Sequence, residues 1–220
     1  MVYTKLQNIF QIMGVNYIVY LAWIHNILEV ETKEFGGYFP LEISSYGYEY
    51  YHSNENYNVL SLNSARSAFY FAAKYSNIKR IFLPILTCPD TEVPFKKLGV
   101  EIIRYKLDEN LLPKNLEMDS NDYLLWTNYY GNAFEKDRLT ILKNFPNLII
   151  DNCHAFFSKP LKDVFNCYST RKFFGVSDGG YLIKEDLKLN YDIKEDLSYK
   201  NITHLIQQIE TGTNSAYKKN

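Results

Sequence analysis

Asn147-Leu148-Ile149-Ile150-Asp151 reads as a short apolar strand that ends in a carboxylate. Three aliphatic side chains in a row leave no face for water, so the strand is expected to be covered on both sides. Similar runs recur along the chain: Arg80 to Pro84 (RIFLP), Val100 to Tyr105, Asp122 to Thr127 (DYLLWT), Val164 to Ser169 and Gly180 to Ile183. Helical stretches separate them. Asn63-Ser64 marks the start of a helix over Ala65 to Tyr75, Gly99 stops one that runs from about Pro89 to Leu98, and another spans about Phe134 to Phe145. Apolar strands alternating with helices predict an α/β fold with a mostly parallel sheet covered by helices on both faces. Ligands in such sheets bind beyond the carboxyl ends of the strands, which is where Asp151 falls.

The 220 residues suffice for one domain with a sizeable core, or for a domain and a fragment of another. At 46% apolar, the composition is that of a globular protein. A net charge of −1, from 24 basic and 25 acidic residues, provides no field for nucleic acid or an anionic membrane. The 20 Tyr and 14 Phe, beside abundant Asn, Lys and Ile, read as the mark of an AT-rich coding sequence ahead of an aromatic binding surface. Cys88, Cys153 and Cys167 are odd in number and lack CxxC spacing, so neither a disulfide framework nor a metal site is expected, and the cytoplasm is the expected compartment. Leu6 to Leu28 carries no charged side chain, yet Asn8, Gln11, Asn16, His25 and Asn26 interrupt the roughly 20 apolar residues that a membrane span needs. Residues 1–34 are therefore expected to form a helical extension, residues 35–190 the main domain, and residues 191–220 a polar, helical connection onward.

The loop Tyr168-Ser169-Thr170-Arg171-Lys172-Phe173-Phe174-Gly175-Val176-Ser177-Asp178-Gly179-Gly180 holds one lysine just ahead of an apolar strand. A lysine whose pKa is depressed by partial burial can attack a carbonyl. Pyridoxal phosphate asks three things of a protein: a lysine for its aldehyde, a carboxylate beside its protonated ring nitrogen, and donors for its phosphate, usually at a helix N-terminus. Lys172, Asp151, and the Ser64 hydroxyl with the backbone N–H groups of Ala65 and Arg66 match those three. Taken singly, each has a plainer reading: a solvated charge, a turn residue, a helix cap. Neither GxGxxG nor GxxxxGK followed by Ser or Thr occurs, which removes the usual signatures of dinucleotide and nucleoside triphosphate sites.

At these residues the chain resembles the DegT/DnrJ/StrS-type sugar aminotransferases, pyridoxal phosphate-dependent enzymes of fold type I related in fold to aspartate aminotransferase. Leu62-Asn63-Ser64-Ala65-Arg66-Ser67-Ala68 looks like that family's phosphate-binding turn, and Asp151-Asn152-Cys153-His154-Ala155 like its acidic motif. The lysine loop looks like its Schiff-base segment, and Gly36-Gly37-Tyr38-Phe39 like the opening of many members. The resemblance implies Lys172 as the catalytic amine and proton shuttle, Asp151 at the ring nitrogen and His154 at the ring oxygen. Ser64, Ala65, Arg66 and Ser169 would hold the phosphate.

Three departures stand out. Cys88 occupies the place where an aromatic residue often stacks on the ring, and Cys167 the place of a phosphate-binding serine, with Ser169 as its substitute. Members also continue into a small C-terminal domain that closes over the substrate, and this sequence is expected to stop short of it. The resemblance implies transfer of an amino group, from a donor such as glutamate, to a keto sugar that is nucleotide-linked, in polysaccharide or related biosynthesis, by a homodimer. Relatives with histidine in place of the lysine perform dehydration, so Lys172 favours transamination. The alternative is an inactive remnant, or one half of a split protein, that keeps the fold and the cofactor site.

Overall fold

The computed structural model describes residues 49–132, 140–141, 144–145, 147–187, 193–194 and 196–212. The chain divides into two compact units, Met1–Tyr48 and Glu49–Asn220, and the described strands and helices all belong to the second. The helical extension expected over 1–34, the apolar stretch from Leu6 to Leu28, the Gly36–Phe39 motif and most of the helix expected over 134–145 lie outside the described residues. Among the described residues no helix is long and apolar enough to cross a membrane.

Eight strands form one sheet: β1 (Asn58–Leu62), β2 (Arg80–Pro84), β3 (Glu101–Leu107), β4 (Pro113–Lys114), β5 (Tyr123–Thr127), β6 (Leu148–Asp151), β7 (Phe165–Ser169) and β8 (Gly180–Lys184). Three helices fully within the described residues accompany it: α1 (Ala65–Tyr75), α2 (Val93–Lys97) and α3 (Thr203–Thr211). The spatial order is β1-β8-β7-β6-β5-β2-β3-β4. Strands β7, β6, β5, β2 and β3 run parallel, while β8, β1 and β4 add antiparallel strands at the two edges. This is the α/β fold with a mostly parallel sheet that the sequence predicts. The chain leaves β2 for β3 on one side and returns to β5 on the other, so a crevice opens at the carboxyl ends of β2 and β5.

Strand periodicity sorts the core into two faces. Ile81, Leu83, Leu125, Ile149, Cys167 and Leu182 pack under α1 and α2, against Ala68, Phe69, Ala72 and Phe95. Their neighbours Phe82, Leu124, Trp126, Leu148 and Ile150 point the other way, where Ile141, whose backbone is helical, covers them. Toward the β8 edge that second face is aromatic, with Tyr51, Phe156, Tyr168 and Tyr181 in mutual ring contact. Asp151 and Thr127 end their strands in phase with Ile149 and Leu125, and so belong to the α1 face.

Helix α1 forms where expected because its local chemistry is consistent. Four alanines (65, 68, 72 and 73) let it lie close on the sheet, and extended Ser64 caps it by accepting the Ser67 N–H at 3.3 Å. Gly99, at φ +68, ends α2 by donating its N–H to Lys96 O at 3.0 Å. Strand β1 was not expected from the sequence. Its half-exposed Asn58-Val59-Leu60-Ser61-Leu62 lacks the continuous apolar run of an interior strand, and its partner β8 lies far along the chain.

Gly179 and Gly180 make the tightest junction. A Cβ on Gly180 would lie 2.5 Å from the Ser64 carbonyl carbon, 2.8 Å from Ala65 N and 2.8 Å from Tyr168 O. All three are backbone atoms, so no side chain can move aside. Gly179, at φ +123, donates its N–H to Asn63 O at 2.7 Å. Gly180→Ala is therefore expected to lower stability by about 1–3 kcal/mol, the usual cost of overpacking. Chemical denaturation checks this, and an unchanged midpoint would show that the two backbones do not touch as described.

Candidate active site

Three pieces of backbone meet at the carboxyl edge of the sheet and enclose a cleft of about 200 Å³. The first is the end of β6. Asp151 is 5% exposed, and its carboxylate accepts the Cys153 N–H on Oδ1 at 2.9 Å and the Thr127 hydroxyl on Oδ2 at 3.4 Å. Thr127 and Asp151 are register partners in the parallel ladder, which is what brings that hydroxyl to the carboxylate.

The second piece is the N-terminus of α1. Ser64 satisfies the Ser67 N–H, and Ala68 N donates to Ser64 O at 3.2 Å. Among the described residues, the N–H groups of Ala65 and Arg66 have no acceptor. The positive end of the helix therefore faces the cleft with two open donors. The Arg66 guanidinium pairs with Asp90 at 3.1 Å, so this residue reaches the cleft both through its backbone and through a half-exposed ion pair.

The third piece is the loop after β7. Phe173 and Phe174 each donate an N–H to Thr170 O, folding a tight turn around Lys172. Lys172 lines the cleft but is exposed, so the partial burial considered from sequence is not found. Ser169 also lines the cleft. Cys167 does not. It is fully buried two residues earlier on the same strand face, where α1 covers it, and burial pushes its thiol well up. The phosphate role considered for Cys167 therefore does not match its position, and Ser169 is the residue of that strand that reaches the cleft. Cys88 is exposed and lines the cleft, its carbonyl accepting the Thr91 N–H at 3.0 Å.

His154 feels both charges. The pKa of its imidazole is lowered, first by burial and then by the Lys172 ammonium, while the Asp151 carboxylate acts the other way. Its Nδ1 is buried with no hydrogen-bond partner among the described residues, a state that costs roughly 1–3 kcal/mol. The exposed ring of Tyr130 stacks on it, centroids 5.6 Å apart, from a backbone at φ +56 that few tyrosines adopt.

Thr127 and Tyr129 of the cleft escaped the sequence reading, and Cys153 and Arg171, quoted within the motifs, were given no site role. Tyr129 donates its hydroxyl to Leu86 O, tying the loop after β5 to the loop after β2, and burial pushes its phenol up to about 12. In a chain with 20 tyrosines, nothing in the sequence distinguishes this one. Strand phase would have found Thr127. The Cys153 thiol is raised well above its ordinary value by burial and by Asp151, which suits packing rather than nucleophilic chemistry.

No protein-family model matches the sequence, and no curated protein matches it. Solved structures do. The chain is similar to the histidinol-phosphate aminotransferase from Clostridium acetobutylicum, at 20% identity and TM-score 0.49, over 60% of this chain and 46% of that one. It is similar to a sugar aminotransferase from Micromonospora echinospora, at 16% identity and TM-score 0.47, over 58% and 42%. A third is the E. coli GDP-4-keto-6-deoxy-D-mannose-3-dehydratase with bound hydrated PLP, at 17% identity and TM-score 0.48, over 59% and 40%. The chain thus spans less than half the length of each of these three.

A positive charge beside an imidazole opposes its protonation. Removing the ammonium in Lys172→Ala should therefore raise the His154 pKa, without restoring the ordinary value of about 6.5, because burial, the larger cause, remains. Titration of the His154 Cε1–H resonance measures this, and an unmoved pKa would mean that Lys172 does not face His154.

Proposed function

We propose that this chain is the cofactor-binding domain of a pyridoxal phosphate-dependent enzyme of the sugar aminotransferase kind. The observation that carries the reading is the arrangement around His154. A buried carboxylate and an exposed ammonium act on one imidazole, in a cleft where α1 leaves two N–H groups open. The residues fit the cofactor on three counts. Open donors at a helix N-terminus suit a phosphate. Among the described residues no salt bridge offsets the charge of the buried Asp151 carboxylate, which accepts from two neutral donors. The buried His154 Nδ1 has no hydrogen-bond partner among the described residues.

When bound, the cofactor supplies a protonated ring that draws electrons from the carbon carrying the substrate's amine. The chain's own residues do the rest. Asp151, oriented by Thr127 and the Cys153 N–H, would keep a proton on the ring nitrogen. Ser64, Ser169 and the N–H groups of Ala65 and Arg66 would hold the phosphate. Lys172 would hold the aldehyde through Nζ and carry a proton to or from the substrate carbon. His154 would face the ring oxygen, and Cys88 would take the wall where an aromatic side chain would otherwise stack.

An amine rather than an imidazole at position 172 favours transamination, with glutamate as donor and a keto sugar, nucleotide-linked, as acceptor. The resemblance seen in the sequence carries a homodimer and a role in polysaccharide or related biosynthesis with it.

Protein mixed with pyridoxal phosphate should gain a visible absorption band that Lys172→Ala lacks. Borohydride reduction should leave the cofactor mass on the peptide carrying Lys172. Glutamate should bleach the band, and Asp151→Asn should slow that bleaching by about a hundredfold or more, the size of a lost proton-transfer contribution. A band of equal strength in Lys172→Ala would contradict the assignment.

A further inference from the structure

Beyond the cleft, a closed ring of polar contacts ties three separated segments together, and none of its members is one of the groups that would touch the cofactor. Asp178, in the lysine loop, accepts the Ser198 hydroxyl on Oδ1 at 2.8 Å and the Asn201 amide on Oδ2 at 3.4 Å. The Ser177 hydroxyl donates to Ser198 O at 3.4 Å. The residue after Asp178, Gly179, donates its N–H to Asn63 O at 2.7 Å. Asn63 in turn donates its side-chain amide to Asp196 Oδ2 at 2.7 Å, two residues before Ser198, which closes the ring. From inside the ring, the Asn63 side-chain oxygen accepts the hydroxyls of Ser64 and Ser67, the cap of α1.

We propose that Asp196, Ser198 and Asn201 form a strap that positions the Lys172 loop against the N-terminus of α1, with Asp178 and Asn63 as its two positioning residues. The proposal rests on the cofactor reading for its purpose, but not for its geometry. Lys172 is exposed, and the ring contacts of its neighbours Phe173 and Phe174 with Phe156 and Phe157 hold the tip of the loop to the segment after β6, not to α1. At one end the loop is anchored by β7. At the other it depends on Thr170, whose hydroxyl donates to Asp178 O at 2.9 Å and whose N–H donates to Gly179 O at 3.2 Å. Those bonds hold residues 170 and 179 together. They do not place the pair relative to Ser64 and Ala65. Three things do: the β1–β8 ladder, which ends with Leu62 opposite Gly180, the Gly180 junction, which is a contact and not a directional bond, and the ring through Asp178, Gly179 and Asn63.

Each side-chain contact of the ring is exposed and individually weak. Together they make the spacing between Lys172 and the open N–H groups sensitive to the segment that follows the sheet. That segment leads straight into α3, whose Ile209 is 83% exposed. A movement of α3 would reach the cofactor site through Ser198 and Asn201, with no residue of the strap in the cleft itself.

The test begins with cofactor-free protein. Amide hydrogen exchange in peptides covering residues 170–180 is compared between the wild type, Asp178→Ala, the double variant Ser198→Ala/Asn201→Ala, and Asp178→Asn. The first two variants should exchange about five- to tenfold faster in this loop, as expected for one or two lost hydrogen bonds, with exchange in β5 and β6 and the unfolding midpoint unchanged. Asp178→Asn keeps an oxygen for the Ser198 hydroxyl and should stay closer to the wild type than Asp178→Ala. The same variants are then treated with pyridoxal phosphate and borohydride, and the share of label on Lys172 should fall in parallel with the loss of protection. Unchanged loop exchange in both Asp178→Ala and the double variant overturns the strap, as does acceleration spread evenly over the sheet. A wild type that places no label on Lys172 while the loop still loosens overturns the cofactor reading and leaves the strap standing.

Discussion

Backbone touches backbone where β8 begins, and the site depends on that contact. Gly180 passes so close to Ser64 and Ala65 that any side chain would displace the helix. The consequence is geometric. The end of the lysine loop and the N-terminus of α1 become one unit, although more than a hundred residues separate them along the chain. Because β8 runs antiparallel to β7, its start lies beside the end of β7, so the loop leaves and re-enters the sheet at the same edge. Helix α1 follows β1, which pairs with β8 in register from Leu62 opposite Gly180. The antiparallel edge is thus what carries the start of α1 to the lysine loop, while the parallel interior delivers Asp151.

Burial is divided unevenly among the charged groups, and the division suits the chemistry. Asp151 is locked by two donors at the floor of the cleft, where its position is fixed by strand register. Lys172 is exposed on a turn, with room to reach and to withdraw. His154 is kept neutral by burial and by the ammonium together. A fixed acid, an exposed amine and a neutral imidazole can meet three different atoms of one planar ligand. The cleft also sits where β2 and β5 diverge, the place at which an open α/β sheet offers room. Size alone would have pointed elsewhere. Cavities of about 690 Å³, beside Asn63, Asp178 and Ser198, and about 530 Å³, near Tyr57, Lys162 and Lys184, are both larger, and none of Ser64, Asp151, His154 and Lys172 lines either.

The parts of the fold that sequence disclosed were those with a local cause. Helix α1 and strand β2 occupy the predicted residues because a polar cap, an alanine-rich run and a compact apolar run act over a few neighbouring positions. Strand β1 escaped because an edge strand is half polar and its partner lies far away in the chain. Asp151, His154, Ser64 and Lys172 were legible as motifs, and the structure gathers them in one cleft. The choice between Cys167 and Ser169 was not. Both point to the same face, and which one reaches solvent depends on where α1 begins to cover the strand. The exposure of Lys172 and the role of Tyr129 likewise arise from loops that converge only in three dimensions.

A crystal structure of the chain grown with pyridoxal phosphate tests the central claim most directly. The account requires electron density continuous from Lys172 Nζ into the ligand, with the ring nitrogen at hydrogen-bonding distance from Asp151 and the phosphate on the N–H groups of Ala65 and Arg66. A ligand bound elsewhere, or joined to Lys172 with its ring nitrogen turned away from Asp151, would contradict it.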